Sequence, residues 1–342
     1  MPRWTGNTIP PRPNGTLRRL NDTYKRARSK TPWQLTRSML LRVEPVSSLL
    51  RSYYRRRLNS DQWIQINRRA LEAHRLNRRI LGKTETRIVQ GLRKFGLQSA
   101  TAEQLFGDDK LLTALQADAE KIFCNPEQRE QIQTRQSSDG AKWYVIRALG
   151  LQPRRPVPNS IANVALDDRV LSIVNSYLGL SSRLRYVDLW YNLAAQPGEP
   201  PIDSEHWHRD NEDVKFVKLF FYLDDVDEGN GPLTYIRGTQ PGGAYADVFP
   251  AQPPQGSYPP ESLLQSAIPS SQIKVCTGKA GTLVLYDASG FHKGGRATDK
   301  PRRLMVATYA SDAAIDPIRY RLQDTSRYER LSPAARYAIR AK

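Results

Sequence analysis

The spacing of apolar residues along the first part of the chain is that of amphipathic helices. From Pro32 onward, apolar residues recur every three or four positions as far as Tyr54, which places them on one helix face. Pro45 is expected to kink or divide this helix, because proline has no amide hydrogen to donate. The same spacing predicts further helices over residues 60–80, 101–123 and 166–180, whereas residues 1–30 are predicted to be loop or disordered chain.

Beyond residue 180, short runs of β-branched and aromatic residues replace the helical spacing. Turns rich in glycine, proline and aspartate separate these runs. Five of them have the length of strands: 185–191, 214–223, 233–236, 281–286 and 304–309. Residues 240–272 are rich in proline, glycine and serine and predict a long loop, of the kind that forms lids and binding loops. The pattern predicts an α+β protein with a mainly β core, a barrel or sandwich with helices packed outside.

Basic residues are concentrated at the start of the chain. The protein has 342 residues and a formal net charge of +18, and the first 100 positions contain 23 basic and five acidic residues. The other positions contain 29 of each sign, so their charges cancel. We therefore expect a basic, partly disordered and helical extension over 1–90. A domain would follow over 91–342, with a helical lead-in at about 91–180 and a β core at about 181–310.

The composition limits the class of protein and its location. Hydrophobic residues make up 39% of the chain and charged residues 25%, which suffices for a buried core and is too polar for a membrane-spanning bundle. Cys124 and Cys276 are the only cysteines, which excludes a disulfide framework and a zinc site built from thiolates. The N-terminus lacks the apolar core of a signal peptide, so a reducing, cytoplasmic location is expected.

The histidines supply the candidate chemistry. There are four of them: His74, His206, His208 and His292. His208 and Asp210 lie two positions apart before a predicted strand, and in an extended chain such side chains point to the same side. With His292, which follows another apolar run, they would form the two-histidine, one-carboxylate triad that holds non-haem Fe(II) with three open positions. A His-x-Asp pair alone is weak evidence, because such pairs arise by chance.

An arginine raises the specificity of this pattern. Arg302 lies ten residues beyond His292 and opens the last predicted strand. A guanidinium group held there could bind one carboxylate of a dicarboxylate through two parallel hydrogen bonds.

Four segments occur in an order and spacing that are specific in combination. They are Trp207-His208-Arg209-Asp210; 220–226 leading to Gly231-Pro232; 281–295 with Asp287 and His292; and Pro301-Arg302. On these segments, residues of about 90–310 resemble the phytanoyl-CoA dioxygenase family of Fe(II)/2-oxoglutarate-dependent oxygenases. Residues 91–97, followed by 102–106, also resemble the start of that family's catalytic domain.

The resemblance implies a double-stranded β-helix, the jelly-roll fold of cupins, flanked by helices. It implies that His208, Asp210 and His292 bind Fe(II), that 2-oxoglutarate is the cosubstrate and that O2 is the oxidant. Arg302 would pair with the 5-carboxylate of 2-oxoglutarate. Arg303 is the alternative, because the family's spacing varies by one residue and neighbouring strand residues face opposite sides.

Other candidates to contact the cosubstrate or the substrate are Asn192, Tyr191 and Lys218. Asn192 and Tyr191 could equally be polar residues of the core or of a strand end, and Lys218 could be a surface lysine. Gly294 stands where many family members have a serine that helps to bind the cosubstrate. That contact is therefore expected to be missing or to come from another residue.

Two features separate this chain from relatives with other chemistry. Gly238-Thr239-Gln240 stands where many members have Gly-Ser-His, but that histidine is not a metal ligand. Asp210 is intact, whereas halogenating relatives have a small residue there, so hydroxylation is favoured over halogenation. His206 is not expected to be a ligand.

We therefore expect a dioxygenase that hydroxylates a C–H bond of a small-molecule or lipid- or glycan-type metabolite, with release of succinate and CO2. The alternatives are a nucleic-acid oxidative demethylase that uses the basic arm to bind phosphates, and a catalytically silent jelly-roll binding protein. The fold itself does not choose among substrates.

The role of the basic extension stays open at this point. Its amphipathic segment 33–58 is compatible with an anionic membrane surface, which would place the protein at the periphery of a membrane. It is also compatible with an acidic substrate carrier, and Arg55-Arg56-Arg57 with nucleic acid, which is not the favoured partner. The remaining possibility is a helical layer that packs on the barrel and leaves its arginines in solvent.

Overall fold

The computed structural model describes residues 52–53, 59–136, 142, 144–150, 156–250, 258–322 and 330–339. The expected loop over 1–30 and the helix expected from Pro32 lie outside these ranges, apart from residues 52–53. Within them the helices are α1 (Ser60–Ile66), α2 (Arg68–Leu76), α3 (Lys83–Phe95), α4 (Ala102–Phe106), α5 (Lys110–Phe123), α6 (Pro126–Thr134), α7 (Asn159–Ala165), α8 (Asp168–Leu178), α9 (Glu261–Ala267) and α10 (Pro333–Ile339).

The strands form two antiparallel sheets. The larger sheet has the order β1-β7-β4-β9-β3-β2, and the smaller one has the order β6-β5-β8. The strands are β1 (Leu97–Thr101), β2 (Val145–Arg147), β3 (Arg183–Asn192), β4 (Val217–Tyr222), β5 (Thr234–Ile236), β6 (Ile273–Val275), β7 (Thr282–Asp287), β8 (His292–Lys293) and β9 (Arg302–Ala310). A further antiparallel bridge joins His208 to His292 at the edge of the smaller sheet.

The two faces of the large sheet have different partners, because neighbouring strand residues point to opposite sides. On β9, Met305 and Ala307 belong to the apolar core shared with helices α3, α5, α7 and α8. Leu304 and Val306 belong to a second apolar cluster, which also includes residues of β5 from the smaller sheet. This arrangement confirms the expected α+β class with a jelly-roll core and helices packed outside.

The five predicted strands correspond to β3, β4, β5, β7 and β9, with ends within three residues of the prediction. The predicted helix over 60–80 is instead two helices that end at Leu76. Asn67 separates them because its side-chain amide bonds back to the carbonyl of Trp63, which competes with continued helix. The region 101–123 forms two helices, α4 and α5.

The long loop predicted over 240–272 is partly wrong, because it contains α9 and a 3₁₀ turn over Ser270–Gln272. Four strands were not predicted at all: β1, β2, β6 and β8. Each of them has five residues or fewer, which leaves little alternation to recognise in sequence, although β5 is as short and was predicted.

The division of the chain at residue 90 stays a prediction. Helix α3 crosses that position and ends at Gly96, whose φ of 80° closes the helix in the left-handed conformation. A side chain at Gly96 would also meet the hydroxyl of Tyr235 at 2.3 Å, so only glycine fits there. Among the described helices, none is both long and apolar enough to cross a membrane.

Candidate active site

A cavity of about 280 Å³ lies against the inner face of the large sheet. His208, Asp210 and His292 line it, and so do Asn192 and Arg302. Apolar and aromatic side chains of the second cluster also line it, among them Trp190, Phe220, Leu233, Tyr286 and Val306.

Backbone hydrogen bonds bring the two halves of the His208, Asp210 and His292 group together. The amide of His208 donates to the carbonyl of His292 at 3.0 Å, and the amide of His292 donates back to His208 at 3.0 Å. The amide of Asp210 donates to the carbonyl of Ala288 at 2.9 Å. His208 and His292 are 84 positions apart in sequence, and this pair of antiparallel hydrogen bonds brings them side by side.

Both imidazole rings are held in one tautomer. The Nδ1 atom of His208 lies 2.9 Å from the carbonyl of His206, and the Nδ1 atom of His292 lies 3.0 Å from the carbonyl of Gly290. A carbonyl can only accept, so each Nδ1 atom carries the hydrogen and each Nε2 atom presents its lone pair to the cavity. This is the arrangement in which histidine binds a metal, with the other ring nitrogen fixed by a hydrogen bond.

The distances between the three side chains suit one cation. The Nε2 atom of His208 lies 3.6 Å from Oδ1 of Asp210, and the Nε2 atom of His292 lies 3.3 Å from Oδ2. All three ligand atoms lie within 4.8 Å of one another. Donors bound side by side to a metal at ~2.1 Å are ~3 Å apart, so small side-chain movements complete the site. The donor set fits Fe(II).

The environment keeps two of the donors in their metal-binding forms. Burial, together with the neighbouring His292, lowers the pKa of His208 to about 3, so its ring is neutral at pH 7. Burial alone would raise the pKa of Asp210, but the ammonium group of Lys218 holds it well below its usual value. His208 and Asp210 therefore need to release no proton on binding a cation at neutral pH.

The structure places Lys218 inside the barrel, on β4 and facing the carboxylates. Its ammonium group donates to Oδ2 of Asp210 and lies 3.5 Å from Oε1 of Glu212. The sequence-based hypothesis that Lys218 faces inward towards a carboxylate is thus met by carboxylates of the protein itself. Glu212 lies two residues beyond Asp210 and also lines the cavity.

Arg302 and Asn192 meet where β9 pairs with β3. They are direct partners in the strand register, and both side chains point into the cavity. Arg302 is 2% exposed, and among the described residues its Nε and Nη1 atoms and Oδ1 of Asn192 are buried without a hydrogen-bond partner. Buried polar atoms of this kind are rare unless a ligand binds them. A carboxylate fits the guanidinium group, so Arg302 suits one end of a dicarboxylate, whereas the Asn192 oxygen is an acceptor and needs a donor.

Two of the sequence-based candidates lie outside the cavity, and their expected role is corrected. The Nε and Nη2 atoms of Arg303 bind the carboxylate of Asp224 at 2.9 and 2.7 Å, and its Nη1 atom lies 2.9 Å from Glu120. Tyr191 packs edge-on against Phe123 of α5 on the same outer side. The physical reason is the alternation of β3 and β9, which turns Tyr191 and Arg303 away when Asn192 and Arg302 point inward.

Two further expectations concern residues beside the ligands. His206 turns away, with its Nε2 atom 3.2 Å from the carbonyl of Pro201, as expected of a residue that is not a ligand. Gly294 lines the cavity, and a Cβ atom there would lie 3.5 Å from the carbonyl of Ser204, an ordinary contact. The site therefore has room for the serine that many relatives carry at this position.

Sequence reasoning missed Arg209, which stands between two of the candidate ligands and points the other way. Its guanidinium group is buried and lies 3.8 Å from the centre of the Phe291 ring. Burial lowers the pKa of Arg209 to about 10, so it stays charged. The group donates to four carbonyls: those of Thr239, Ser289, Ala246 and Val248. Arg209 thus ties the ligand segment to the loop that follows β5 and to the turn before β8.

Other residues that line the cavity or contact His208 also carry no signal in the sequence. Lys142 donates to the hydroxyl of Ser204 at 2.6 Å, and Tyr144 shares that hydroxyl at 2.8 Å. Tyr258, from the segment predicted to be a loop, stacks over the ring of His208 with 5.6 Å between ring centres. These residues come from irregular segments, where no periodicity indicates a direction.

The chain is similar in sequence to a family of known proteins. A sequence model of the family described as phytanoyl-CoA dioxygenase (PhyH) matches residues 100–304. No curated protein matches the chain significantly.

Several solved structures resemble the chain at low identity. The epimerase SnoN, in complex with Fe3+, alpha ketoglutarate and nogalamycin RO, is 14% identical, with a TM-score of 0.47 over 67% of this chain and 84% of that one. EctD from S. alaskensis, with 2-oxoglutarate and 5-hydroxyectoine, is 20% identical, with a TM-score of 0.47 over 69% and 86%. AviO1 from Streptomyces viridochromogenes Tue57 is 17% identical, with a TM-score of 0.46 over 70% and 99%. Likenesses this distant carry no argument about the chemistry of this chain.

Proposed function

Because the chain belongs to the phytanoyl-CoA dioxygenase family of Fe(II)- and 2-oxoglutarate-dependent oxygenases, we propose that it hydroxylates a C–H bond of a small-molecule metabolite of lipid or glycan type. In the balanced reaction, the substrate R–H, O2 and 2-oxoglutarate give R–OH, succinate and CO2. The observation that carries the proposal is one cavity lined by His208, Asp210 and His292 and also by Arg302, whose Nε and Nη1 atoms have no partner among the described residues.

In this proposal His208, Asp210 and His292 hold Fe(II), which when bound supplies the oxidising chemistry with O2 and 2-oxoglutarate. The two histidine rings need no rearrangement of protons, because their Nδ1 hydrogens are already committed to backbone carbonyls. The protein's contribution is to hold the three donors and to exclude water from the reacting groups.

Arg302 and Asn192 would bind the 5-carboxylate of 2-oxoglutarate. The guanidinium group offers two buried N–H donors, at Nε and Nη1, and the Asn192 amide lies beside it in the strand register. Burial makes a charge-assisted pair at this place stronger than the same pair in water. The apolar side chains that line the same cavity suit the carbon chain of the cosubstrate.

The test is an anaerobic titration with Fe(II) and 2-oxoglutarate that follows the weak visible charge-transfer band of the chelate. We expect the band in the wild-type protein, its loss in His208→Ala and its retention in His206→Ala, the matched histidine control. Arg302→Met should weaken 2-oxoglutarate binding, whereas Arg303→Met, the adjacent arginine, should leave it unchanged. A folded, iron-loaded wild-type protein without the band would contradict the proposal.

The two alternative functions give different results. A silent binding protein would show the band and release no succinate in air under any substrate condition. A nucleic-acid demethylase would bind DNA or RNA with an affinity that falls steeply with salt, because its phosphate contacts release counterions. We place the small-molecule hydroxylase first because the basic extension, on which the demethylase depends, contributes no residue of those described to the cavity.

We also propose that the basic N-terminal segment binds an anionic membrane surface. The supporting observation is a set of exposed arginines in and after α2: Arg68, Arg69, Arg75, Arg78 and Arg79. Sedimentation of the full chain with vesicles that contain anionic lipid tests this. Binding should fall on charge reversal by Arg68→Glu with Arg69→Glu, and equal sedimentation with neutral vesicles would contradict it.

A further inference from the structure

Two segments of chain form the wall of the cavity beside Asp210. One is residues 210–213, and the other is the turn after β9, residues 311–316. Glu212 from the first segment and Ala314 and Asp316 from the second line the cavity. The relative position of the two segments therefore sets the shape of the cavity near the metal ligands.

Direct hydrogen bonds hold these two segments together. The amide of Ile315 donates to the carbonyl of Glu212 at 2.9 Å. The amide of Ser311 donates to Oδ2 of Asp213 at 2.8 Å, and Asp213 is only 4% exposed. A buried carboxylate needs donors on both oxygens, and the second oxygen of Asp213 faces away from the turn.

Helix α1 supplies that second donor. The indole Nε1 atom of Trp63 donates to Oδ1 of Asp213 at 2.9 Å, across 150 positions of sequence. The amide of Val214 donates to the same oxygen at 2.8 Å. Asp213 is thus fixed between the N-terminal helices and the turn after β9.

Asn67, the residue between α1 and α2, holds the turn itself. It is fully buried, its Oδ1 atom accepts from the amide of Asp312 at 2.9 Å, and its Nδ2 atom donates to the hydroxyl of Ser311 at 3.2 Å. The second hydrogen of Nδ2 goes to the carbonyl of Trp63 at 2.9 Å. The amide therefore binds both the turn and its own helix.

The apolar contact of these helices with the barrel is small. No residue of α1 is buried, and Ala70 is the only buried residue of α2. Ala70 adds one backbone contact, because its carbonyl accepts from the amide of Ser181 at 3.0 Å. Polar contacts directed at the cavity wall, rather than a hydrophobic interface, are thus the main link between α1–α2 and the barrel.

We propose that Trp63 and Asn67 are positioning residues, which hold residues 210–213 and 311–316 in the arrangement that the active site needs. The proposal rests on the proposed function for its catalytic consequence, while the clamp itself is a property of the protein without cofactors. Segment 210–213 begins with a candidate metal ligand, and a shift of ~1 Å at a reacting centre can cost ~10²-fold in rate.

The test compares Asn67→Ala and Trp63→Phe with matched controls on the same helices, Asn77→Ala and Ile64→Ala, in the full chain. Asn77 and Ile64 are exposed, and neither contacts the cavity wall. Trp63→Phe keeps an aromatic ring, smaller than the indole, and removes the N–H donor, so it should fold even if Asn67→Ala does not. Hydrogen–deuterium exchange of the amides of 311–315 is measured first, without metal.

We expect exchange of these amides to become at least tenfold faster in Asn67→Ala and Trp63→Phe, with no change in the controls. Succinate formation with Fe(II) and 2-oxoglutarate should then show a fall of at least threefold in kcat, whereas the KM for 2-oxoglutarate stays within twofold because Arg302 is not disturbed. Unchanged exchange would overturn the clamp, and a kcat equal to that of the controls would overturn its role in positioning. If the wild-type protein formed no chelate, the proposed function would fail while the exchange result still decided the clamp.

Discussion

Replacing Arg302 should have opposite effects on the stability of the protein and on its binding of 2-oxoglutarate. The Arg302 guanidinium is buried, and its Nε and Nη1 atoms have no partner among the described residues. Burial also lowers the pKa of Arg302, which reflects the cost of keeping this charge away from water. The variant Arg302→Met keeps most of the side-chain volume and removes the charge.

The size of both effects follows from that environment. Replacing buried, poorly compensated charge with an apolar side chain of similar volume stabilises proteins by ~1–4 kcal/mol. For 342 residues, at ~2.1 cal/mol/K of unfolding entropy per residue, each kcal/mol raises Tm by ~1–2 °C. Removing one partner of a buried ion pair costs ~3–5 kcal/mol, so 2-oxoglutarate should bind ~10²–10⁴-fold more weakly.

The assay is thermal unfolding of the protein without and with Fe(II) and 2-oxoglutarate, under anaerobic conditions. Wild-type protein should gain Tm from the cosubstrate, because a ligand that binds only the folded state stabilises it. Arg302→Met should start from a higher Tm and gain little. Arg303→Met is the matched control: it breaks the pairing with Asp224, which is partly exposed, and should lose ~0.5–1 kcal/mol while keeping the gain from 2-oxoglutarate.

A lower Tm for Arg302→Met without cosubstrate would refute this reasoning. It would mean that the guanidinium group stabilises the folded state without a ligand. The unpartnered Nε and Nη1 atoms would then be no evidence for a bound carboxylate. An unchanged response to 2-oxoglutarate in Arg302→Met would refute the assignment of the carboxylate site independently of the stability result.

Three further predictions address other parts of the site. Arg209→Met should lower the free energy of unfolding by ~3–5 kcal/mol and weaken Fe(II) binding, because four carbonyls lose their donor. Urea unfolding measures the loss of stability, and Arg237→Met is the control. Burial, and then Arg147, lower the pKa of Lys142 to about 8. Between pH 8 and 10.5 the Lys142 ammonium group therefore keeps its proton only in the unfolded chain. The free energy of unfolding should rise by up to ~3 kcal/mol as the pH increases through this window. Lys142→Met should lack that rise when unfolding curves at the two ends of the window are compared. Gly294→Ser should fold with a free energy of unfolding within ~0.5 kcal/mol of wild type, and titration should show tighter binding of 2-oxoglutarate. A larger loss of stability would show that the space beside the carbonyl of Ser204 does not admit the serine side chain.

The parts of the site that lie on regular strands could be predicted from the sequence. Alternation on β9 identified Arg302 and Arg303 as the two choices, because one of any two neighbours on a strand must face inward. The choice between them needed the register, since only the pairing of Arg302 with Asn192 shows which face is the inner one. His208 and Asp210 were found for the same reason, as an alternating pair in extended chain.

Residues whose role depends on irregular chain could not be predicted. Arg209 lies between two ligands in sequence and points away from them. Its four acceptors come from the loop after β5 and the turn before β8, so its role exists only in the folded chain. Strand β1 shows the same limit, because only two of its five residues are buried and its pairing with β7 is set by the large sheet rather than by its own pattern. The Tyr258 side chain reaches His208 from a segment whose composition predicts only a loop.

Helices α1 and α2 use different residues for their contacts with the barrel and for their exposed positive charge. On α2 the face towards the barrel is small and neutral and contains Ala70, with Asn67 one position before the helix, whereas Arg68 and Arg69 are exposed. A position three residues along a helix returns to the same side, and positions one or two along do not, so Asn67 and Ala70 share a face that the two arginines leave. The contacts with the barrel therefore use none of this positive charge. Charge reversal at Arg68 and Arg69 should alter binding to anionic surfaces without loosening the cavity wall, and Asn67→Ala should do the reverse.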